Sequence, residues 1–277
     1  MTHGKLNAPR DAKELAYLYD LYIAHGWREV FDQIVDDEIE LPKEGKFLEA
    51  GCGSGGYAID LAIRGGARTE VAGVDPSLER LALARSKAEI KKINRVTFQP
   101  GSLCDLDFAN GEFDLVIGDA SMTPPSEIGA VFAELLRVAK KGAPVGLKLT
   151  TRGSFDEFFS IYWEALYNLE LLEYAPQLES LITERLTVRD AEQIATDAGL
   201  QRVRSVTRKE EFDYNNGNGF FEAPLIWTFF LDDWLALLPD RETHPRVQQE
   251  LVKIIDQERH EMDFDISIKA TLIIGRK

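Results

Sequence analysis

A chain of 277 residues with 44% hydrophobic residues can bury a full core, in one large domain or one domain with an elaboration. Its formal net charge of −15 argues against a general nucleic-acid binder, which needs a basic surface to displace counterions. No apolar run reaches membrane-spanning length, the N-terminus shows no apolar signal region, and two cysteines cannot build a disulfide framework, so a cytoplasmic chain with no membrane partner is expected.

Residues 1–10 read as weakly held. Asp11 with Glu14 is a capping-box-like helix start, after which Leu15, Leu18 and Tyr22 recur at helical spacing. Trp27, Val30, Phe31 and Ile34 predict a second short helix, and Asp36-Asp37-Glu38 an acidic linker. Phe47-Leu48-Glu49-Ala50 is a short strand-like run, followed by four glycines within residues 51–56 and then a helical pattern. The missing β-carbons let the loop turn sharply and let a ligand lie against bare backbone. The following helix aims its unpaired N–H groups and positive end at that place. The stretch predicts a nucleotide-type site on a doubly wound sheet.

The glycines do not name the ligand. They satisfy G-x-G-x-G, and through Gly51, Gly53 and Gly56 also the dinucleotide pattern G-x-G-x-x-G. Glu49 would repel a pyrophosphate but suit a ligand that carries positive charge. Val71-Ala72-Gly73-Val74-Asp75 is a second strand ending in an acid, which fits a ribose diol in either case.

Further along, Tyr57 to Arg64 and Ser77 to about Lys92 read as helices, and Val96 to Phe98 as a third strand. The fourth strand, Phe113 to Gly118, runs into Asp119-Ala120-Ser121-Met122 at the edge where ligands bind in such folds. Asp119 is there a ligand contact or a cap, and the best-placed carboxylate for a general base. Ile128 to Ala139 is a helix, Val145 to Leu149 a fifth strand, and Ser154 to about Glu173 an aromatic-rich helix. Thr187 to Asp190 is a second capping box, and Val203 to Val206 a sixth strand. Residues 208–264 interrupt the pattern with an Asn/Gly loop and the aromatic stretch from Phe220 to Leu231. That density suits a flat apolar substrate or a packed insertion over the sheet edge. Asp265 to Gly275 alternates as a half-buried strand. Neither a histidine–carboxylate spacing nor a cysteine pair suggests a metal.

Four stretches in this order carry a family likeness: Glu49 to Gly55, Gly73 to Ser77, Phe113 to Val116, and Glu134 to Gly142. Together they resemble the class I S-adenosylmethionine-dependent methyltransferases, in particular the small-molecule branch, over about residues 45–207 plus the last strand. The resemblance implies an α/β, Rossmann-like doubly wound seven-stranded sheet with its last strand antiparallel. Residues 1–277 would form a single domain: an N-terminal helical lid (1–44), a cofactor-binding core (45–207), an insertion covering the substrate (208–264) and the last strand (265–277). The implied cofactor, S-adenosyl-L-methionine, would be held by Glu49, Ala50, Gly51, Cys52, Gly53, Asp75, Pro76, Ser102, Leu103, Asp119 and Ala120. Ser102 stands where the family commonly has an aspartate for the adenine. Asp119 and His25 are the candidates for catalysis, and Tyr22, Trp27 and Trp227 for substrate contact, with Tyr19 and His25 also in the lid. The expected reaction is methyl transfer to a small-molecule acceptor, at oxygen. Two alternatives stay open. A nicotinamide oxidoreductase would use the same glycines but leaves Glu49 unexplained. A non-catalytic S-adenosylmethionine-binding protein would lack an acceptor cavity.

Overall fold

The computed structural model describes residues 11–238, 242–258 and 264–277; the expectation for residues 1–10 falls outside them. Seven strands form one sheet in the order β3-β2-β1-β4-β5-β7-β6. They are β1 (Gly45–Ala50), β2 (Thr69–Asp75), β3 (Val96–Pro100), β4 (Leu115–Asp119), β5 (Pro144–Thr150), β6 (Gln201–Tyr214) and β7 (Phe264–Arg276). The first five pair in parallel, and β7 runs antiparallel between β5 and β6. The doubly wound sheet with an antiparallel last strand is therefore present as expected. The order reverses between β1 and β4, so the carboxyl ends of β1, β2 and β4 surround a crevice at the switch point.

Strand alternation sends successive side chains to opposite faces. Phe47, Leu115, Ile117, Ile268 and Leu272 join one core, covered by the N-terminal helices and by α3 (Gly56–Arg64), α4 (Leu78–Ile90) and α6 (Asp156–Asn168). Leu48, Val116, Val145, Leu147 and Ile273 join the other, under α5 (Ile128–Val138) and α8 (Val188–Asp197). The capping box at Thr187 and Asp190 opens α8 as its sequence predicts.

The structure departs from the expected elements in two places. The N-terminal region is one helical run, α1 (Ala12–Leu18), a π-helical stretch Tyr19–Trp27, and α2 (Arg28–Glu38). The Arg28 N–H bonds to the Ile23 carbonyl, five residues back. This wider winding turns Tyr19, Ile23 and Trp27 inward together. The sixth strand also continues past Val206 to Tyr214 and pairs with β7 along its length. As an edge strand it carries a charged, exposed row that hides the strand pattern. Between Tyr214 and Phe264 lie the short helices α9 (Gly217–Glu222), α10 (Pro224–Phe229) and α11 (Leu231–Leu235), then α12 (Thr243–Glu258). They bury Phe220, Phe221, Phe230 and Trp234 against Phe155 and Phe158 of the α6 start. α7 (Ala175–Thr183) packs beside α6.

Candidate functional site

Gly51, Gly53 and Gly55 all hold positive φ, +76°, +55° and +78°, which turns the chain from β1 into α3. A β-carbon on Gly53 would stand 2.6 Å from Arg28 Nη1 and 2.7 Å from the Tyr19 hydroxyl; one on Gly51 would meet the Asp119 carbonyl at 2.6 Å. The loop is a bare-backbone cradle that the N-terminal helices face directly. Its N–H groups at Gly51 and Cys52 both donate to the Val74 carbonyl, at 2.7 and 2.8 Å.

At the end of β2, Asp75 is buried and organises the next layer. Its Oδ2 accepts from the Gly53 N–H at 2.9 Å. Its Oδ1 accepts from the Ser77 N–H at 2.9 Å and from Arg80 Nε at 2.9 Å. The Arg80 guanidinium in turn lies 4.4 Å from the centre of the Tyr19 ring.

Alternation puts Glu49, Asp119 and Lys148 on the same face, at the ends of β1, β4 and β5. Arg28 and Asp32, one turn apart on α2, come down on them. Arg28 Nη2 donates to Glu49 Oε1 at 2.6 Å, and Arg28 Nε lies 2.9 Å from Asp119 Oδ2. Lys148 Nζ pairs with Asp32 and lies 3.7 Å from Glu49 and 3.8 Å from Asp119. Two cations thus face three carboxylates, and Glu49 Oε2 accepts no hydrogen bond among the described residues. Burial pushes the Glu49 carboxyl up to about 7, against the pull of Arg28 and Lys148. Burial also raises Asp32, with Lys148 opposing. At Asp119, burial is outweighed by Arg28 and Lys148, which hold the carboxyl below its ordinary range. Asp119 Oδ1 accepts from the Ser121 N–H at 3.1 Å and hydroxyl at 2.7 Å, and Ser121 Oγ accepts from Trp27 Nε1 at 3.1 Å.

Two cavities open here. One, of about 270 Å³, is lined by Tyr19, Gly51, Asp75, Pro76, Arg80, Leu103 and Asp119. The second, of about 380 Å³, lies among Trp27, Pro124, Thr150, Arg185, Phe230 and Trp234. Ser121, Met122, Thr123 and Phe229 belong to both, so the cavities meet at the end of β4.

Of the residues singled out in the sequence, the first cavity brings together Gly51, Asp75, Pro76, Leu103 and Asp119, and the second contains Trp27. Glu49, Ala50, Cys52, Gly53 and Ala120 are buried directly behind these walls. Burial pushes the Cys52 thiol well up, which leaves it a small neutral filler. Ser102 caps its own turn, accepting from the Cys104 N–H at 3.2 Å. Tyr22 is 39% exposed, and the His25 side chain is 65% exposed and 3.8 Å from Glu29; the π-helical winding that turns Tyr19 and Trp27 inward leaves both facing solvent. Trp227 packs half-buried on the large core. None of these three lines either cavity. Arg28, Arg80, Ser121 and Lys148 were not expected at the site. A lysine inside the apolar run Val145 to Leu149 was the one signal in the sequence that a buried partner must exist.

Comparison with known proteins places part of the chain among methyltransferases. Residues 47–142 match a family model described as a methyltransferase domain. The chain is 30% identical to norajmaline N-methyltransferase of Rauvolfia serpentina over 116 residues, 42% of this chain and 38% of that enzyme. It is 29% identical to a demethylmenaquinone methyltransferase of Porphyromonas gingivalis over 179 residues, 64% of this chain and 68% of that enzyme. The matched part spans about half the length of the curated relatives. Among solved structures, the YcgJ protein of Bacillus subtilis superposes with a TM-score of 0.58 at 18% identity, covering 90% of this chain and 98% of that one. Haemonchus contortus phosphoethanolamine N-methyltransferase 2, solved with S-adenosyl-L-methionine, gives 0.55 at 19% identity, covering 96% and 57%. These two likenesses are likenesses of fold.

Proposed function

We propose, from the methyltransferase-domain match over residues 47–142, that this chain is a class I S-adenosylmethionine-dependent methyltransferase that transfers the methyl group of S-adenosylmethionine to a small-molecule acceptor. The observation that carries the reading is the junction of two cavities. One lies against the glycine cradle and Asp75, the other against an aromatic wall, and they share Ser121, Met122, Thr123 and Phe229.

The residues fit the cofactor. Glu49 Oε2 is a buried carboxylate oxygen without a hydrogen-bond donor, in a cluster with one carboxylate more than cations. It suits the ammonium of the methionine portion, with Gly51 to Gly53 as bare backbone beside it. Arg28 would receive the cofactor's carboxylate, and Asp75 its ribose hydroxyls. Leu103 and Pro76 would flank the base. When bound, the cofactor supplies an already electrophilic methyl group on a sulfonium.

What remains for the protein is to hold a nucleophile in line, and orientation of this kind can lower a barrier by roughly 7–11 kcal/mol. The acceptor would enter the second cavity, where Trp27, Phe230 and Trp234 exclude water. Oxygen is the proposed acceptor atom. None of the four residues common to both cavities is ionisable. Methylating a neutral amine leaves a cation that wants a carboxylate at that point; methylating an anionic oxygen leaves a neutral ether. Asp119, ionised and ion-paired, is a weak base; its proposed role is to orient Ser121 and Arg28. His25 is kept as a candidate only for a proton passed through solvent. A cytoplasmic setting is part of the proposal and is supported by two free cysteines and by the absence, among the described residues, of a helix long and apolar enough to cross a membrane.

The test is calorimetric titration of S-adenosylmethionine, S-adenosylhomocysteine and NADH. Binding of the first two supports the reading; preference for NADH sinks it in favour of an oxidoreductase. Binding without turnover across an acceptor panel would leave a cofactor-binding protein.

A further inference from the structure

Arg185 sits in the loop between α7 and α8 and lines the second cavity, as does Thr150. The loop is clamped by Arg152: its N–H donates to the Leu186 carbonyl at 2.9 Å, its Nε to the Arg185 carbonyl at 3.1 Å, and its Nη2 to the Thr183 carbonyl at 2.5 Å. The Arg185 guanidinium carbon lies 5.1 Å from the centre of the Phe155 ring. Phe155 is itself held at φ +65°, a left-handed conformation that bulky residues rarely adopt, while its N–H donates to the Ser267 carbonyl at 2.7 Å. The ring so placed also packs on Trp27, Phe230 and Trp234, so the guanidinium lies on the edge of the aromatic cluster. A guanidinium over a ring face keeps the edge of its N–H fork available to a planar acceptor.

Among the described residues that edge has no partner. Among the described residues the guanidinium has no ion pair, Arg185 Nη1 is buried without a hydrogen-bond partner, and so is Thr150 Oγ1. Two unmet polar atoms belong to residues on the wall of one cavity, and one of them is cationic. Burial pulls Arg185 below the ordinary guanidinium range and Glu184 works the other way. An unmet buried charge is costly, so a site that keeps one is built for a ligand that meets it.

We propose that Arg185 and Thr150 form an anion-recognition site in the acceptor cavity, and that the acceptor carries a carboxylate on a flat apolar body. The proposal rests on the methyltransferase reading, and it names the substrate class. One guanidinium and one hydroxyl match a planar monoanion. A dianion such as a phosphate monoester would be disfavoured by Glu184 and Asp233, the exposed acids of the same cavity. The apolar body is received by Trp27, Phe229, Phe230 and Trp234.

The test is calorimetric titration of the full chain with 2-naphthoate, 2-naphthamide and 2-naphthyl phosphate, each with and without saturating S-adenosylhomocysteine. Wild type is expected to bind naphthoate about tenfold or more tighter than naphthamide, as hydrogen bonds to a charged group would give. Arg185→Gln should abolish that preference and leave S-adenosylhomocysteine affinity unchanged. Arg185→Lys keeps the charge without the planar fork and should lose most of the preference; this variant decides if the glutamine variant fails to fold. Equal affinity for naphthoate and naphthamide, binding of neither, a preference for naphthyl phosphate, or a naphthoate preference that survives both substitutions would overturn the proposal. Failure of the methyltransferase reading shows separately, as absence of S-adenosylhomocysteine binding by wild type.

Discussion

Arg28 meets Glu49 at 2.6 Å with 4% and 0% of their side chains exposed, so the N-terminal helical run supplies the counter-charge for the first strand of the sheet. The pair makes the helices part of the site. Asp20 reinforces the seam from one end, bonding both Ser54 of the glycine loop and Lys87 of α4. Around Arg28, burial works against the charge, but Asp119, Tyr19 and Glu49 outweigh it and hold the proton more tightly than usual.

Removing one member of a buried pair strands the other. Arg28→Met is expected to cost about 3–5 kcal/mol in urea unfolding, because Glu49 and Asp119 both lose their nearest cation. The double variant Arg28→Met with Glu49→Gln should recover part of that loss. Single and double variants both within about 1 kcal/mol of wild type, the level of an exposed pair, would mean that water reaches the seam.

Asp75 is the hinge between loop and helix, accepting from Gly53, Ser77 and Arg80. Asp75→Ala should weaken S-adenosylhomocysteine binding by about tenfold or more, since each lost bond to a carboxylate is worth about 1.5–3 kcal/mol. Titration calorimetry reads this directly. An unchanged affinity would place the ribose elsewhere.

Much of this site was legible in the sequence, and the illegible part has a common physical cause. Glu49 and the glycines lie in one strand–loop–helix unit and Asp75 ends the strand that follows it, so a single local β–α–β pattern reports them. Arg28 and Lys148 reach the same point from 21 residues before Glu49 and from the fifth strand, and only the sheet order brings them there. The N-terminal helices were recognisable from apolar spacing, but which residues face inward depends on the π-helical winding at Tyr19–Trp27, which spacing alone does not reveal. Arg185 had no signal: its meaning lies in Phe155 beneath it and in the missing partner at Nη1.

The cradle predicts a contrast between two neighbouring glycines. At Gly53, φ is +55° and a β-carbon would press on Arg28 and Tyr19; at Gly56, the first residue of α3, nothing lies within 4 Å. Gly53→Ala should lose about 1–2 kcal/mol from the left-handed backbone alone, and with it most cofactor affinity. Gly56→Ala should be neutral or stabilising by up to about 1 kcal/mol, as alanine replaces glycine in a helix. Thermal unfolding and S-adenosylhomocysteine titration of the two variants side by side check this. Equal loss in both would show that the loop tolerates no side chain for reasons other than contact with the N-terminal helices.

The raised Glu49 carboxyl gives a pH dependence with a definite sign. In the unfolded chain this group loses its proton near its ordinary value of 4.5, whereas burial keeps the proton on until about 7 in the folded state, despite Arg28 and Lys148. Between those values the folded chain binds more protons, so the contribution of Glu49 to stability is complete below the unfolded value and is lost as pH rises through about 7. Asp119 is shifted the other way, and its contribution fades only in acid, below its ordinary 3.8. Wild type should therefore lose stability relative to Glu49→Gln as pH is raised from about 5 to 8, measured by urea unfolding at each pH. Cofactor binding should run in the opposite direction, because an ammonium group needs the ionised carboxylate: S-adenosylhomocysteine affinity should rise over the same range in wild type and stay flat in the glutamine variant. A stability difference that does not change with pH would mean that Arg28 keeps Glu49 ionised throughout, and the rise in affinity should then vanish with it.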